Sequence, residues 1–157
     1  MSRRVDYYHD PEAPPANSIV VAVTAFIQDS TGRLLMIRRT DNDLYAIPGG
    51  AQEVGETVAQ TVAREVKEET GITVEVMGLI GVYSDPEHVI LFSDGEVRQE
   101  FSLCFRARPV AGEPRTSNES KEVLWVEPAE LANLNIHPSI RLRIRHGFEH
   151  RTDPFYA

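Results

Sequence analysis

The stretch AIPGGAQEVGETVAQTVAREVKEETGI, Ala46 to Ile72, constrains the chain more than any other: a Pro-Gly-Gly break opens it and five glutamates follow. At about 100° per residue from Thr57 to Thr70, Val58, Val62 and Val66 fall on one apolar stripe with Ala59 and Ala63, which predicts a helix laid on a sheet. Glu65, Glu68 and Glu69 form a second stripe about a quarter turn away. They are related as i, i+3 and i+4, so their carboxylates converge, and like charges so placed cost about 0.2–0.5 kcal/mol per pair even in the open. A solvated charged face accounts for the helix taken alone equally well.

The rest of the chain supplies that sheet. SIVVAVTAFIQD is a β-branched run suited to a buried strand, STGR a turn and LLMIRRT a second strand, together a hairpin. TDNDLYAIPGG reads as loop. β-type runs return after the helix in ITVEVMGLIGVYS, HVILFSD, VRQEFSLCFRARPV and EVLWVE, with a turn at Asp94-Gly95. A short helix is expected from Pro128 to Asn133, with proline in its first turn. PSIRLRIRHGFEH spaces Ile140, Ile144 and Phe148 four apart, as an amphipathic helix does. The class is therefore α+β, a mixed sheet with helices packed on it. Residues 1–17 read as an extended arm, 18–150 as one domain and 151–157 as a tail.

Composition excludes several functions. With 157 residues and a net charge of −8, the chain suits one domain and offers no broad electrostatic grip on a nucleic acid polymer. An anionic ligand would need a local cation. Cys104 is the single cysteine, so neither a disulfide framework nor a cysteine-rich zinc site can be built. The two arginines near the start precede no apolar segment, and no run reaches the length of a membrane span, so a cytoplasmic protein is the default.

Spacing around the helix favours a metal over a solvated face. Mg²⁺ takes oxygen ligands, a few carboxylates together with substrate phosphates and water. Gly49 and Gly50 let the backbone turn tightly and approach an ion or a phosphate without a Cβ in the way. Glu56 lies near the helix N-terminus, where its charge suits the macrodipole. Arg64, one turn before Glu68, is placed to hold a carboxylate.

Counted from Gly50, five residues precede Glu56, seven more precede Arg64-Glu65, and Val66, Glu68-Glu69, Gly71 and Ile72 complete the pattern. This resembles the full signature of the Nudix hydrolases, matched at every specified position. Seven fixed identities at roughly 7% each arise by chance about once in 10⁸ starting points, so coincidence is no rival. IPGG before the helix, GVYSDP after it and ESKEVLWVEPAEL are also similar to Nudix domains.

The resemblance implies a Nudix fold, a mixed sheet sandwiched between helices, and hydrolysis of a diphosphate linkage in a nucleoside diphosphate joined to a further group X. It implies Mg²⁺ or Mn²⁺ held by Glu65 and Glu69, with Glu68 as a ligand to a further ion or a helper to the attacking water and the Gly50 carbonyl completing the shell. Glu56 and Gly71 would be structural and Arg64 the orienter of a metal-binding carboxylate. The general base lies outside the signature: Glu119 is the leading candidate, ahead of Glu100, Glu122 and, in a water-mediated role, Glu53. Candidate substrate contacts are Arg39, Tyr45 and Arg98, with Arg38, Gln99, Asp85 and His88 behind them. Arg141, Arg143 and Arg145 read as a basic helix face. ADP-ribose or a nucleotide sugar is favoured as substrate, because the N-terminal arm resembles a segment used in dimer contacts by some ADP-ribose-type members. A nucleoside triphosphate pyrophosphatase and a catalytically silent nucleotide-binding regulator are the alternatives. No membrane or nucleic acid partner is expected, and a homodimer is.

Overall fold

Strand β3 (Ala22–Ile27) explains the layering of the computed structural model, which describes residues 4–157. Its side chains alternate: Val23, Ala25 and Ile27 join one buried cluster and Phe26 the other. In β4 (Leu34–Arg39), Leu35 joins the first cluster while Leu34 and Met36 join the second. Val62 and Val66 of α1 (Val58–Thr70) close the first cluster, and Ile144 of α2 (Pro138–Glu149) closes the second. Helices on both faces of mixed sheets give the expected α+β sandwich.

The central sheet runs β12 (Phe155–Tyr156), β7 (Ile72–Tyr83), β10 (Ser102–Gly112), β3, β6 (Gly49–Ala51), with β10 parallel to β3 and β12 parallel to β7. A second sheet joins β11 (Ser120–Val126), β4 and β5 (Tyr45–Ala46). On β11, Trp125 sits across from Leu35 and packs, partly buried, on the cluster beneath α1. The third sheet runs β1 (Arg4–Tyr8), β8 (His88–Phe92), β9 (Val97–Gln99), β2 (Ser18–Ile19). Both flanking segments of the chain thus add a strand. The arm is further tied by His9, whose ring nitrogens reach Asp85 at 2.8 Å and Glu87 at 3.0 Å.

Local chemistry sets the helix ends. Thr57 caps α1 in a reciprocal box with Gln60, and Gly71 ends it in the left-handed conformation at φ 79°. Pro128–Asn133 forms the expected short helix, of 3-10 type. The His137 ring accepts from the Ser139 amide at the start of α2. No described helix is long and apolar enough to cross a membrane.

Several expectations need correction. The hairpin is only a tight turn: β3 and β4 share one bridge, Gln28 to Leu34, and then part into different sheets. They part because β10 and β6 occupy both edges of β3, leaving β4 to pair with β11 and β5. VRQEFSLCFRARPV likewise divides into β9 and β10, and the supposed loop before the helix contains β5 and β6. On α1, Ala59 and Ala63 are exposed. The face that packs holds Thr61, Val62, Glu65, Val66, Glu69 and Thr70, so two of the acidic residues belong to the buried stripe. Gly49 and Gly50 make no turn: they lie in β6, and the glycine with positive φ ahead of the helix is Gly55 at 95°.

Candidate active site

Helix α1 carries Glu65 and Glu69 one turn apart against β6, and both are buried, 9% and 4% exposed. The loop before β11 brings exposed Glu119 to them, and one carboxylate oxygen from each of the three lies within 4.8 Å of the others. The glycines of β6 make that approach possible. A Cβ at Gly50 would run into the Glu65 carboxyl group, and one at Gly49 into the Val23 carbonyl oxygen. The Gly49 amide donates to Glu69 Oε2 at 3.1 Å. These glycines therefore serve closeness of approach rather than a turn.

Arg64 braces the site from the next helical position. Its Nε donates to Glu56 Oε2 at 2.6 Å, Nη1 to Glu65 Oε1 at 2.9 Å and to Glu68 Oε2 at 3.3 Å, and Nη2 to the Ala51 carbonyl at 3.1 Å. Glu56 in turn accepts from the Glu53 amide at 2.9 Å and from the Thr61 hydroxyl at 3.1 Å. Helix start, β6 and one wall of the cluster are thereby joined through one guanidinium. Glu68 is tied to Arg64 but its side chain is 59% exposed, outside the converging trio.

The charges are poorly compensated. Burial pushes Glu65 up to about 7, against the pull of Arg64, with Glu68 and Glu119 adding to the rise. Burial pushes Glu69 up to about 8, opposed by the Gly49 amide and the more distant Arg39. Glu69 also sits in the last turn of α1, where the helix dipole disfavours a carboxylate. Three converging oxygens and two buried, strained carboxylates fit a hard divalent cation.

Glu119 is positioned by backbone and hydroxyl contacts. Its carbonyl accepts from the Thr40 amide at 3.1 Å, and its amide donates to Ser117 Oγ at 3.2 Å. Next to it, fully buried Ser120 donates to the Glu69 carbonyl and pairs with Ser117 Oγ at 2.8 Å. Loop and helix are thus linked where their carboxylates meet.

A cleft of about 400 Å³ runs from this cluster toward α2, and Arg39, Tyr45, Arg98 and Glu100 all line it. Arg39 is braced by Asp41 at 2.6 Å and Arg98 by Glu96 at 2.8 Å. The Tyr45 hydroxyl reaches Glu122 Oε2 at 2.5 Å, which occupies Glu122 away from the trio. Arg38 pairs with Asp43 at 2.7 Å and does not line the cleft. Glu53 lies 3.7 Å from Arg64, and Gln99 donates to the Ser84 carbonyl at 3.0 Å. Asp85 joins the ion pair with His9, whereas His88 is buried in the cleft wall.

Sequence reasoning missed the far end of this cleft. Arg4 and Asp6 of β1 line it, as do His137, Ser139 and Arg143 at the start of α2. The signal was the period of two in RVDYY, which puts Arg4, Asp6 and Tyr8 on one strand face. The basic helix face also dissolves. Arg143 is 2% exposed, Arg141 donates to the Leu131 and Leu134 carbonyls, and Arg145, with a side chain 66% exposed, pairs with Glu149 at 3.9 Å.

Comparison with known proteins gives a consistent picture. The family model for the NUDIX domain matches residues 19–146. The chain is 44% identical over 120 residues to a MutT-like protein of Streptomyces ambofaciens, covering 76% of this chain and 70% of that one. It is 36% identical over 128 residues to an ADP-ribose pyrophosphatase of Methanocaldococcus jannaschii, covering 76% and 65%. A NUDIX hydrolase structure from Nitrosomonas europaea superposes with a TM-score of 0.72 at 23% identity, over 90% of this chain and 77% of that one.

Proposed function

The chain belongs to the Nudix family of pyrophosphohydrolases, and from that premise we propose that it hydrolyses the diphosphate linkage of a nucleoside diphosphate joined to a second group, ADP-ribose or a nucleotide sugar, with Mg²⁺ or Mn²⁺. The observation that carries this reading is the convergence of Glu65, Glu69 and Glu119, the last two of which line the cleft. The ADP-ribose pyrophosphatase relative and a cleft long enough to reach from the acidic trio to α2 support the substrate class.

Glu65 and Glu69 would hold the cation, with Glu119 at the open side and the Gly50 carbonyl beside them. When bound, such an ion offsets the charge of the diphosphate and makes a bound water acidic enough to attack phosphorus. The residues of this chain supply the rest. Arg64 keeps the Glu65 carboxylate aimed away from the helix axis, and the Gly49 amide fixes that of Glu69. Exposed Glu119 would take the proton of the attacking water, with Glu100, another acid of the cleft lining, as the alternative. Glu68, at the rim, is available to a further ion. Arg39 and Arg98, each steadied by its own carboxylate, line the cleft and would meet the substrate there.

A second reading, a nucleoside triphosphate pyrophosphatase, is supported by the likeness to a putative 8-oxo-dGTP diphosphatase of Bacillus subtilis, 29% identical over 105 residues. One experiment separates the two: nucleoside monophosphate formation, resolved by chromatography, with Mg²⁺ and then Mn²⁺ from ADP-ribose, nucleotide sugars, and ordinary and oxidised nucleoside triphosphates. Turnover of the first group supports the proposal, and turnover of triphosphates alone replaces it. No turnover by folded, metal-binding protein would make it a silent nucleotide binder, although every signature glutamate is present.

A further inference from the structure

We propose that the α2 end of the cleft is a second anion site, in which Arg143 binds a phosphate or carboxylate that the substrate carries away from its diphosphate; this builds on the hydrolase reading above. Four buried or half-buried arginines line the cleft, and three have carboxylate partners: Arg4 with Asp6 at 2.7 Å, Arg39 with Asp41 at 2.6 Å and Arg98 with Glu96 at 2.8 Å. Arg143, at 2% exposed, is buried yet has no carboxylate within 4.0 Å among the described residues. Its Nη1 donates to the Ser139 carbonyl at 2.9 Å, its guanidinium lies 4.6 Å from the Tyr83 ring centre, and its Nε has no partner. A buried guanidinium left without an acid is costly, and a ligand that supplies the acid removes the cost.

The neighbouring polar atoms point the same way. Ser102 Oγ, on a residue 2% exposed, also lacks a hydrogen-bond partner among the described residues and lines the same cleft, and His88 Nε2 beside it, on a residue 5% exposed, has only the Asp6 carboxylate at 3.5 Å. Acids nearby do not fill the role. Asp6 is engaged by Arg4 and lies 3.5 Å from His88. Glu100 lines both this cleft and the adjoining cavity of about 300 Å³ that Arg143 also borders, without forming an ion pair among the described residues. The His137 ring, which accepts from the Ser139 amide, walls the same end. The α2 end thus holds the Arg143 guanidinium and the Ser102 hydroxyl, both on residues that wall the cleft and both left with an unpartnered, almost fully covered donor, which suits a group that accepts hydrogen bonds and carries negative charge once the wall admits it.

The test has two arms, and the first needs no hydrolysis. Thermal unfolding in metal-free buffer should show that inorganic phosphate raises Tm relative to chloride at equal ionic strength, and that Arg143→Met removes the rise while the surface variant Arg145→Met keeps it. Because Arg143→Met risks misfolding, Ser102→Ala and Arg143→Lys are measured beside it; the first should weaken protection and the second should retain part of it. The second arm compares kcat/KM for ADP-ribose against ADP-ribose bearing one further phosphate, and for UDP-glucose against UDP-glucuronate. One anionic member should be preferred about tenfold, which tells phosphate from carboxylate, and Ser102→Ala should reduce the preference. Phosphate protection that is absent, or unchanged in Arg143→Met and Ser102→Ala, overturns the site and leaves its donors to buried water or Glu100. Hydrolysis without preference for either anionic member overturns it equally. Protection lost in the variants together with no hydrolysis of any substrate keeps the anion site and removes the hydrolase reading.

Discussion

Glu69 places a carboxylate in the last turn of a helix, 4% exposed, with one amide and a distant guanidinium to offset it. Glu69→Gln keeps the volume and the Gly49 contact but removes the charge. Turnover should fall about a hundredfold or more, with far-ultraviolet dichroism unchanged, and wild-type-like activity would remove Glu69 from the metal set. Glu119 is exposed and belongs to a loop, so Glu119→Gln should lower kcat more than it weakens the metal dependence. A normal kcat would shift the proton-accepting role to Glu100, since Glu122 is held by Tyr45. The two β6 glycines offer a contrast between function and folding. Gly50→Ala forces a methyl group into the Glu65 carboxylate and should cost about a hundredfold in rate with little loss of stability. Gly49→Ala meets backbone instead and should cost about 1–3 kcal/mol in denaturant unfolding.

Elements carry the next level of argument, and here the sequence was legible unevenly. Helix α1 could be read almost to the residue, because Thr57, the valine stripe and Gly71 all mark it locally. Its buried face could not: Glu65 and Glu69 replace Ala59 and Ala63 there, and only tertiary packing against β6 makes that tolerable. The longer strands were clear from β-branched runs, but β1, β5, β6 and β12 lie in segments read as arm, loop and tail, and sheet membership was not legible, since β3 and β4 look like a hairpin and separate. The acidic trio was legible by its signature on the helix and by position for Glu119. The Arg143 end was not, because a buried arginine has the same letter as a solvated one. The link between β11 and α1 through Ser120 gives a test at this scale. Ser120→Ala should weaken metal dependence or rate about tenfold by releasing the loop that holds Glu119, although it touches no substrate. Unchanged kinetics would show that the Thr40 contacts hold the loop alone.

At the scale of the whole molecule, the uncompensated acids make stability depend on pH and metal together. The ordinary value for Glu69 is 4.5 and burial pushes it up to about 8, so between those limits the folded state holds the extra proton and stability falls as pH rises. Glu65 acts the same way up to about 7. His137 opposes them below 6.5, because burial and the neighbouring His88 depress it to about 4 and the unfolded chain binds the extra proton there. His146, also depressed by burial, acts in the same sense as His137, and both histidine effects fade as pH rises past 6.5 while those of the glutamates persist. Metal-free protein should therefore lose stability from pH 6.5 to 8, by about 2 kcal/mol at most from Glu69, and Glu69→Gln should flatten that slope in calorimetry. Mg²⁺ should raise Tm more at pH 8 than at pH 6, since it competes with those protons. A flat metal-free profile would mean that water reaches both carboxylates. Trp125 gives such experiments a convenient optical handle. It is the only tryptophan in the chain, and it stands on the strand that follows the Glu119 loop, packed on the cluster under α1. Emission from this one indole therefore reports, without any attached dye, on the joint between loop and helix, and its change on titration with a divalent ion would follow the site closing in real time.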